Sequence, residues 1–593
     1  MSGRPQRVRR SPRDVYENNS HAEQAEVERA LRESLKSKKP SDHGPSSLGS
    51  GSGFGTLCDA CGTPLLLCVF TVYFAQGFRS LGGLGMSYYL KDTLQLSATQ
   101  SALITSWSVL PWSLKPLFGI TSDCLPLGGR RRKPYVTIAA VLGVCAWTWL
   151  ANTVADSGAS GGGGGQGLLL LCMFMGNMST ALSDVVVDAL VAEKSRDLAA
   201  ASSSGSDAAA GEEALDAMLQ NGCWTAMAAG GLAASALGFG LGVGSAGSAI
   251  SLRTVCLITA ACPLLVGLAA LRIDEPRVAV AEGSALAAAK AKINQLCHAL
   301  RSPLVYRPMG YVFLSGALAP SFDTPLFYFA TERLGVTPDF SSASMALMWA
   351  AMMVGSLLFQ RFFSAAGQHR AMFFWSQVGL AVCNLLTLAQ VLGISDALLP
   401  TVDPKYFMVG ADVLATMASR FSMMPFLVMA ASLCPPGIEG TLFAAFMSIA
   451  NFSNEVSRFS GAHVAAALNI GAKIPGAAAA AAAVAATNGT AAAAAAVEEQ
   501  LDFSMLPHAL VLRTVLMLVP LLFLTALVPA SFEAPKMPSD DVAEAGTKTA
   551  GAPATATHKE PQGGRRTRRI ASKSPAARSK VSAVAKKRLK KTE

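Results

Sequence analysis

The stretch Ser106–Tyr135, SWSVLPWSLKPLFGITSDCLPLGGRRRKPY, decides the fold. An apolar segment carrying Pro111, Lys115 and Pro116 breaks at Ser122-Asp123. It turns through Gly128-Gly129 and ends in Arg130, Arg131, Arg132 and Lys133. A second apolar run starts at once from Pro134. The pattern is that of two membrane helices joined by a tight basic hairpin. Clustered arginines resist translocation, so the hairpin is expected on the cytoplasmic side.

Composition extends this reading to the whole chain. Of 593 residues, 51% are hydrophobic and only 15% charged, and the mean hydropathy is +0.38. A soluble domain carries about 25% charged residues. A span needs roughly 20 apolar residues. Runs of that kind lie near 64–90, 98–121, 134–154, 167–192, 220–244, 250–272, 306–330, 341–363, 370–393, 405–433, 438–468 and 508–530. The expected fold class is therefore an all-α polytopic membrane protein with twelve transmembrane helices in two six-helix halves.

The domain boundaries follow from where charge returns. Residues 1–56 read as a disordered cytoplasmic tail, with a short helix candidate from Val15 to Leu35. The tail has no apolar h-region, and Glu23, Glu26, Glu28 and Glu33 argue against a transit peptide. Residues 57–272 form the first half, 273–305 a cytoplasmic linker, and 306–532 the second half. The stretch 471–500 reads as an Ala-rich outer loop in which Asn488 is a glycan acceptor if the loop is lumenal. Gly161–Gly165 and Ala199–Ala210 read as further low-complexity loops. Residues 533–593 read as a disordered basic cytoplasmic tail. With both tails inside, the inner loops hold fourteen Lys and Arg. The outer loops hold five: Lys91, Arg253, Arg333, Lys405 and Lys473. That bias agrees with the orientation set by the arginine hairpin.

The net charge of +10 lies largely in the tails. Basic tails beside membrane helices suit anionic lipid, and no nucleic-acid partner is expected. Twelve cysteines are scattered, mostly in apolar runs. Cys58 and Cys61 make a lone CxxC without further ligands at zinc spacing, so they read as small apolar residues, and neither metal nor cofactor is expected. The chain has no HExxH, GxSxG or GxxxxGK[ST]. It is read as no enzyme, and any transport would run on gradients.

Charges inside apolar runs cost at least ~2.5–3.5 kcal/mol on insertion scales, so each needs a reason. The substrate or proton candidates are Arg79, Asp184, Asp188, Asp323, Asp412, Arg420, Glu455 and Arg458, with Lys115 also inside a span. Spans 1, 4, 7 and 10 all carry charge, and in a carrier built from three-helix repeats these are equivalent positions. Spans 3, 6, 9 and 12 are nearly free of interior charge and are expected to face lipid. Asn177, Ala181, Asp184 and Asp188 are spaced +4, +3, +4 and share one helix face. Two carboxylates one turn apart can hold a proton; the alternative is an ion pair with Lys115 or Arg79. Asn451, Asn454, Glu455 and Arg458 form a second polar stripe, in which Glu455 and Arg458 could simply neutralise each other. Pro320 and Pro325 bracket Asp323 and predict a broken helix. Nearby Phe322, Phe327, Tyr328 and Phe329 offer either stacking faces or ordinary packing. Asp123 beside Arg130, Arg131 and Arg132 reads either as a gate latch or as topology anchoring.

Four blocks carry a family resemblance: LPWSLKPLFGITSDCLPLGGRRRKPY, ALSDVVVDALVAEKSR, PSFDTPLFYFATERLG and SLCPPGIEGTLFAAFMSIANFSNE. Together they resemble the folate–biopterin transporter family of the major facilitator superfamily, over roughly residues 70–530. The resemblance implies a major-facilitator-like fold, alternating access, and a multi-pass symporter for folate, biopterin or related pterins. It picks out Lys115, Asp123, Arg130, Arg131, Arg132, Asp184, Asp188, Glu193, Asp323 and the CPPGIEGT turn. The alternatives are a carrier of another small metabolite, such as S-adenosylmethionine, and a non-transporting receptor or scaffold. A monomer in the plasma membrane is the default expectation, with a plastid or other organelle membrane as the alternative.

Overall fold

The computed structural model describes residue 58 and residues 61–156, 164–201, 206–243, 250–277, 285–362, 369–432, 439–475 and 499–529. The Val15–Leu35 segment, most of the glycine run, the CPPG turn, Asn488 with most of the alanine loop, and the basic tail lie outside the described residues.

Helix α1 (Thr63–Phe78) starts with proline in its first turn and runs into α2 (Ser80–Tyr88) and a π-helical turn, Tyr89–Thr93. The second pass starts at α3 (Ala98–Val109), where Ser97 and Gln100 form a reciprocal capping box. Pro111 then tightens the chain into a 3-10 turn, Leu110–Leu114, before α4 (Lys115–Cys124). Helices α5 (Lys133–Asp156), α6 (Gly164–Ala201), α7 (Ser206–Leu241) and α8 (Leu252–Ala270) complete the first half. The linker carries α9 (Ala285–Leu300). The second half opens with a broken pass, α10 (Pro303–Ala317) and α11 (Asp323–Arg333). It continues through α12 (Pro338–Phe362), α13 (His369–Val391), the short α14 (Ile394–Leu398), α15 (Pro404–Ser432) and α16 (Glu439–Ala467). The last pass is α17 (Leu506–Leu518), a 3-10 turn, and α18 (Leu524–Leu527).

Among the described residues each apolar run of the sequence is built mainly of helix. Eight passes among the described residues are long and apolar enough to cross a membrane by length and composition. The other four are Ala98–Cys124, Pro303–Arg333, α15 and α16. These four carry helix breaks or interior charges, and together with the passes of α1 and α6 they build the site. Large apolar side chains stand exposed on spans 3, 6, 9 and 12: Val141 and Trp149, Leu264 and Leu268, Trp375 and Val382, Val515 and Leu522. Apolar surface on that scale belongs against lipid rather than water.

Three features depart from the sequence reading. The linker contains a helix, α9, whose Leu296 and Ala299 join the core around Ile120, Val305 and Phe446. Helices α6 and α7 run through Ala199–Ala201 and Ala208–Ala210, which read as loop. Alanine is the strongest helix former, and it extends the adjoining helices there. Strands β1 (Ala472–Pro475) and β2 (Glu499–Asp502) pair antiparallel, Ala472 opposite Asp502, at the base of the alanine loop.

Two seams join the halves. In one, α7 packs on α12; in the other, α3 and α4 pack on α16. The break between α10 and α11 is fastened to α16. Ser321 donates its backbone N–H to the Ser457 carbonyl at 2.9 Å, and Ser457 Oγ donates to the Ala319 carbonyl at 2.6 Å. Two backbone groups at the break are thus satisfied without water, as a membrane interior demands. Gly461 allows the approach, since a Cβ there would lie 1.8 Å from the Ser321 carbonyl oxygen. The span-7 aromatics pack rather than line an opening. Phe322 and Tyr328 are buried in a cluster with Ala98, Ala465 and Leu506, and Phe327, Phe329 and Leu388 lie against it.

Candidate transport site and gates

The polar face of α6 meets two residues of α1 and Arg79, which caps its end. Tyr73 OH donates to Asp188 Oδ1 at 2.6 Å, Gln76 Nε2 to Asp184 Oδ1 at 2.7 Å, and Arg79 Nη1 to Asn177 Oδ1 at 2.8 Å. Residues 73, 76 and 79 are spaced three apart, so one helix face delivers all three donors. The second pass adds Lys115, whose ammonium lies 2.5 Å from Asp184 Oδ2 and 4.7 Å from the Trp112 ring centroid. Trp112 Nε1 also donates to Asn177 Oδ1 at 3.1 Å. Lys115 and Asp184 are both buried, so this pair neutralises two charges that would be costly alone. The ion-pair alternative therefore holds for Asp184. Asp188 has the Tyr73 hydroxyl and, among the described residues, no cation within salt-bridge distance. Tyr73, Gln76 and Trp112 were missed in the sequence; the polar spacing of 73, 76 and 79 in an apolar run was the available signal.

A proline ties this cluster to the second half. Pro116 has no N–H to return to the Trp112 carbonyl four residues back. Asn451 Nδ2 on α16 donates to that carbonyl at 3.2 Å. Further along α16, Arg458 Nη1 lies 3.6 Å from Glu455 Oε1, so the two partly neutralise each other as their spacing allows. Glu455 is buried, and its Oε2 has no hydrogen-bond partner. Arg458 is near enough to Arg79 for the two charges to repel.

The remaining charges lie apart from this cluster. Asp323 is the first residue of α11; its side chain is 71% exposed, 3.9 Å from Arg513 Nη1. Asp412 on α15 is exposed and senses the Asp323 charge. Arg420, two turns further along α15, lies over the Trp224 ring of α7 at 5.1 Å.

At one end of the bundle the basic hairpin closes on acids from three directions. Arg132 Nη2 lies 2.5 Å from Asp123 Oδ1 and 2.5 Å from Glu193 Oε1, and Nη1 donates to Ser122 Oγ at 2.7 Å. Burial pulls the Arg132 guanidinium down, but Glu193 and Asp123 outweigh it and hold the group above its ordinary value. Glu275 accepts the backbone N–H groups of Arg131, Arg132 and Lys133 at 2.7, 2.9 and 2.8 Å. Arg131 itself is exposed and Arg130 half-buried, so one arginine of the three makes the buried contact. Lys292 of the linker helix α9 pairs with the other oxygen of Asp123. At the opposite end, Lys91 Nζ reaches Glu332 Oε1 at 2.6 Å, Tyr88 OH meets Ser341 Oγ at 2.7 Å, and Tyr328 OH donates to the Leu96 carbonyl at 2.8 Å. Each of these three contacts joins the first half to the second.

Comparison with known proteins places this arrangement. The BT1 family profile matches residues 76–548. The chain belongs to the BT1 family. The family is that of the folate–biopterin transporters. "Probable folate-biopterin transporter 4" of Arabidopsis thaliana is 30% identical over 478 residues, covering 70% of this chain and 91% of the relative. "Folate-biopterin transporter" of Synechocystis sp. is 33% identical over 394 residues, 66% of this chain and 73% of the relative. Among solved structures, a D-xylose-proton symporter superposes with a TM-score of 0.53 at 12% identity, covering 80% of this chain and 99% of that one. A mutant of the nucleoside transporter NupG gives 0.51 at 13%, covering 78% and 100%. At such identities the likeness shows the fold, which is that of the major facilitator transporters. The BT1 chain is an integral multi-pass membrane transporter and not an enzyme. The receptor or scaffold alternative falls with that finding.

Proposed function

We propose that this BT1 chain is a proton-coupled carrier of folate, biopterin or related pterins, working by alternating access. The observation that carries the reading is the unequal pairing of the two α6 carboxylates. Asp184 is neutralised by Lys115, whereas Asp188, one turn on, has among the described residues a hydroxyl alone. Asp188 is thus the group free to exchange a proton, and Asp184 holds Lys115 beside the site. Arg79 and Arg420 have no carboxylate within salt-bridge distance among the described residues, and they supply the cations that an anionic substrate needs. Asp123, Arg132 and Lys292 at one end, and Lys91 with Glu332 at the other, act as the alternating gates.

Uptake of labelled folate and biopterin in a transport-deficient host tests the reading. Asp188→Asn should lose accumulation driven by an inward proton gradient, at least tenfold, while keeping exchange of internal for external substrate. Gradient-driven uptake at the wild-type level would remove the proton role. The exposed acids Asp323 and Asp412 favour a second cargo class, a cationic metabolite such as S-adenosylmethionine; competition against folate uptake separates the two. We take the carrier to be a monomer in the plasma membrane with its basic tails on anionic lipid. A tagged full-length chain found in a plastid envelope would relocate it.

A further inference from the structure

Trp224 of α7 and Arg420 of α15 face each other across the seam between the halves, with the guanidinium carbon 5.1 Å from the ring centroid. Trp224 Nε1 and Arg420 Nε are both buried, and neither has a hydrogen-bond partner among the described residues. The stem of Arg420 is held from behind by α12, where a Cβ on Gly355 would lie 3.2 Å from Arg420 Cβ. Other basic groups inside the bundle have polar company. Lys115 has Asp184, Arg458 has Glu455, Arg513 faces Asp323, and Arg79 has the Asn177 amide. Arg420 has an aromatic face instead.

We propose that Trp224 and Arg420 form the seat for a carboxylate of the transported molecule, borne on a planar aromatic body. This rests on the transport reading above and names the group that the site recognises. Indole and guanidinium are donors only, so the acceptor must come from outside the pair. Leaving two donors buried without acceptors is unfavourable, and the positive charge selects an anion among acceptors. The cation–π contact is what the pair makes in the substrate's absence. Charge-assisted hydrogen bonds to a carboxylate are stronger, so an incoming carboxylate displaces that contact. Both donor atoms are closed over here, so the seam must part for an acceptor to reach them. Occupancy of the seat is thereby linked to the separation of α7 from α15. Trp224 sits in NGCWTAMAAGGLAAS, where nothing in the sequence sets it apart from ordinary packing.

The test uses the purified full-length protein and p-aminobenzoyl-glutamate, which carries the carboxylates of a folate without its pterin ring. Binding is read by thermal stabilisation in wild type, Trp224→Phe and Arg420→Gln. The phenylalanine keeps the ring and removes the N–H. The dissociation constant should rise about tenfold for Trp224→Phe, the loss of one hydrogen bond to a charged group, and more for Arg420→Gln. In uptake, Trp224→Phe should lower the ratio of folate to biopterin kcat/KM by a similar factor. Failure of the wild type to bind the fragment, or wild-type binding by Trp224→Phe, overturns the carboxylate seat. If Arg420→Gln does not fold, Trp224→Phe decides alone. Fragment binding by a wild type that moves neither folate nor biopterin would overturn the pterin reading and leave the seat standing.

Discussion

Replacing Lys115 by alanine would leave Asp184 buried with the Gln76 amide as its nearest relief. Removing one partner of a buried ion pair typically costs about 3–5 kcal/mol. Lys115→Ala should therefore lower the unfolding temperature in detergent markedly. A Lys115→Met, Asp184→Asn double variant, which removes both charges at similar volume, should recover most of the loss. Equal losses in both would show that packing, not charge, decides there. At this scale the sequence revealed which charges sit inside the membrane and which share a face: Asn177, Asp184 and Asp188 do turn together toward α1. It did not reveal who meets whom. Asp184 and Asp188 are alike in spacing and chemistry, and their difference comes from a lysine 69 residues away. Asp323 read as a charge at a helix break, and it begins a helix with its side chain exposed 3.9 Å from Arg513, a partner that the sequence did not reveal.

Helix breaks in this protein are positioned by neighbours as much as by prolines. Pro320 made the span-7 break legible, but its resting place on α16 depends on Gly461, which carries no such signal. Gly461→Ala should push the break off α16 and disturb the Ser321–Ser457 hydrogen bond. The expected result is a lower unfolding temperature together with lost uptake, and an alanine variant indistinguishable from wild type would refute the close approach. Helix α9 was hidden for another reason. It is sixteen residues long and basic, with Lys290 and Lys292 and no acid, and it lies between prolines in a stretch that reads as linker. Its role is visible only once Lys292 meets Asp123 and Leu296 joins the core around Ile120. Cys124 packs at the edge of that core and reports on it. In a chain whose Cys58, Cys145 and Cys297 are replaced by serine, Lys292→Ala should make Cys124 react several-fold faster with a polar thiol reagent. An unchanged rate would mean that α9 does not guard this end.

The two ends of the molecule are held by chemically similar devices, an ion pair backed by hydrogen bonds, and an alternating carrier should need one of them to yield at a time. Lys91→Glu should slow uptake, since it places like charges at Glu332 and Asp92. The reversal Lys91→Glu, Glu332→Lys should restore at least part of the loss, with initial uptake rates as the measurement. No recovery would assign the contact to local structure. The overall architecture was the most legible level, because a bilayer leaves few ways to satisfy a backbone and twelve apolar runs therefore meant twelve helical passes. The seams were not legible: α7 against α12 and α16 against α3 and α4 depend on small residues and local breaks, which hydropathy does not weigh.

The Trp112 carbonyl shows how one half can register the position of the other. Pro116 denies it the usual helical donor, and Asn451 answers from across the seam. Were α16 to swing away in the proposed cycle, that oxygen would need a new donor, either water entering the passage or the cargo itself. An empty carrier and a loaded one would then meet different resistance at the same hinge, and the origin of that difference would be a missing hydrogen on a single imino acid.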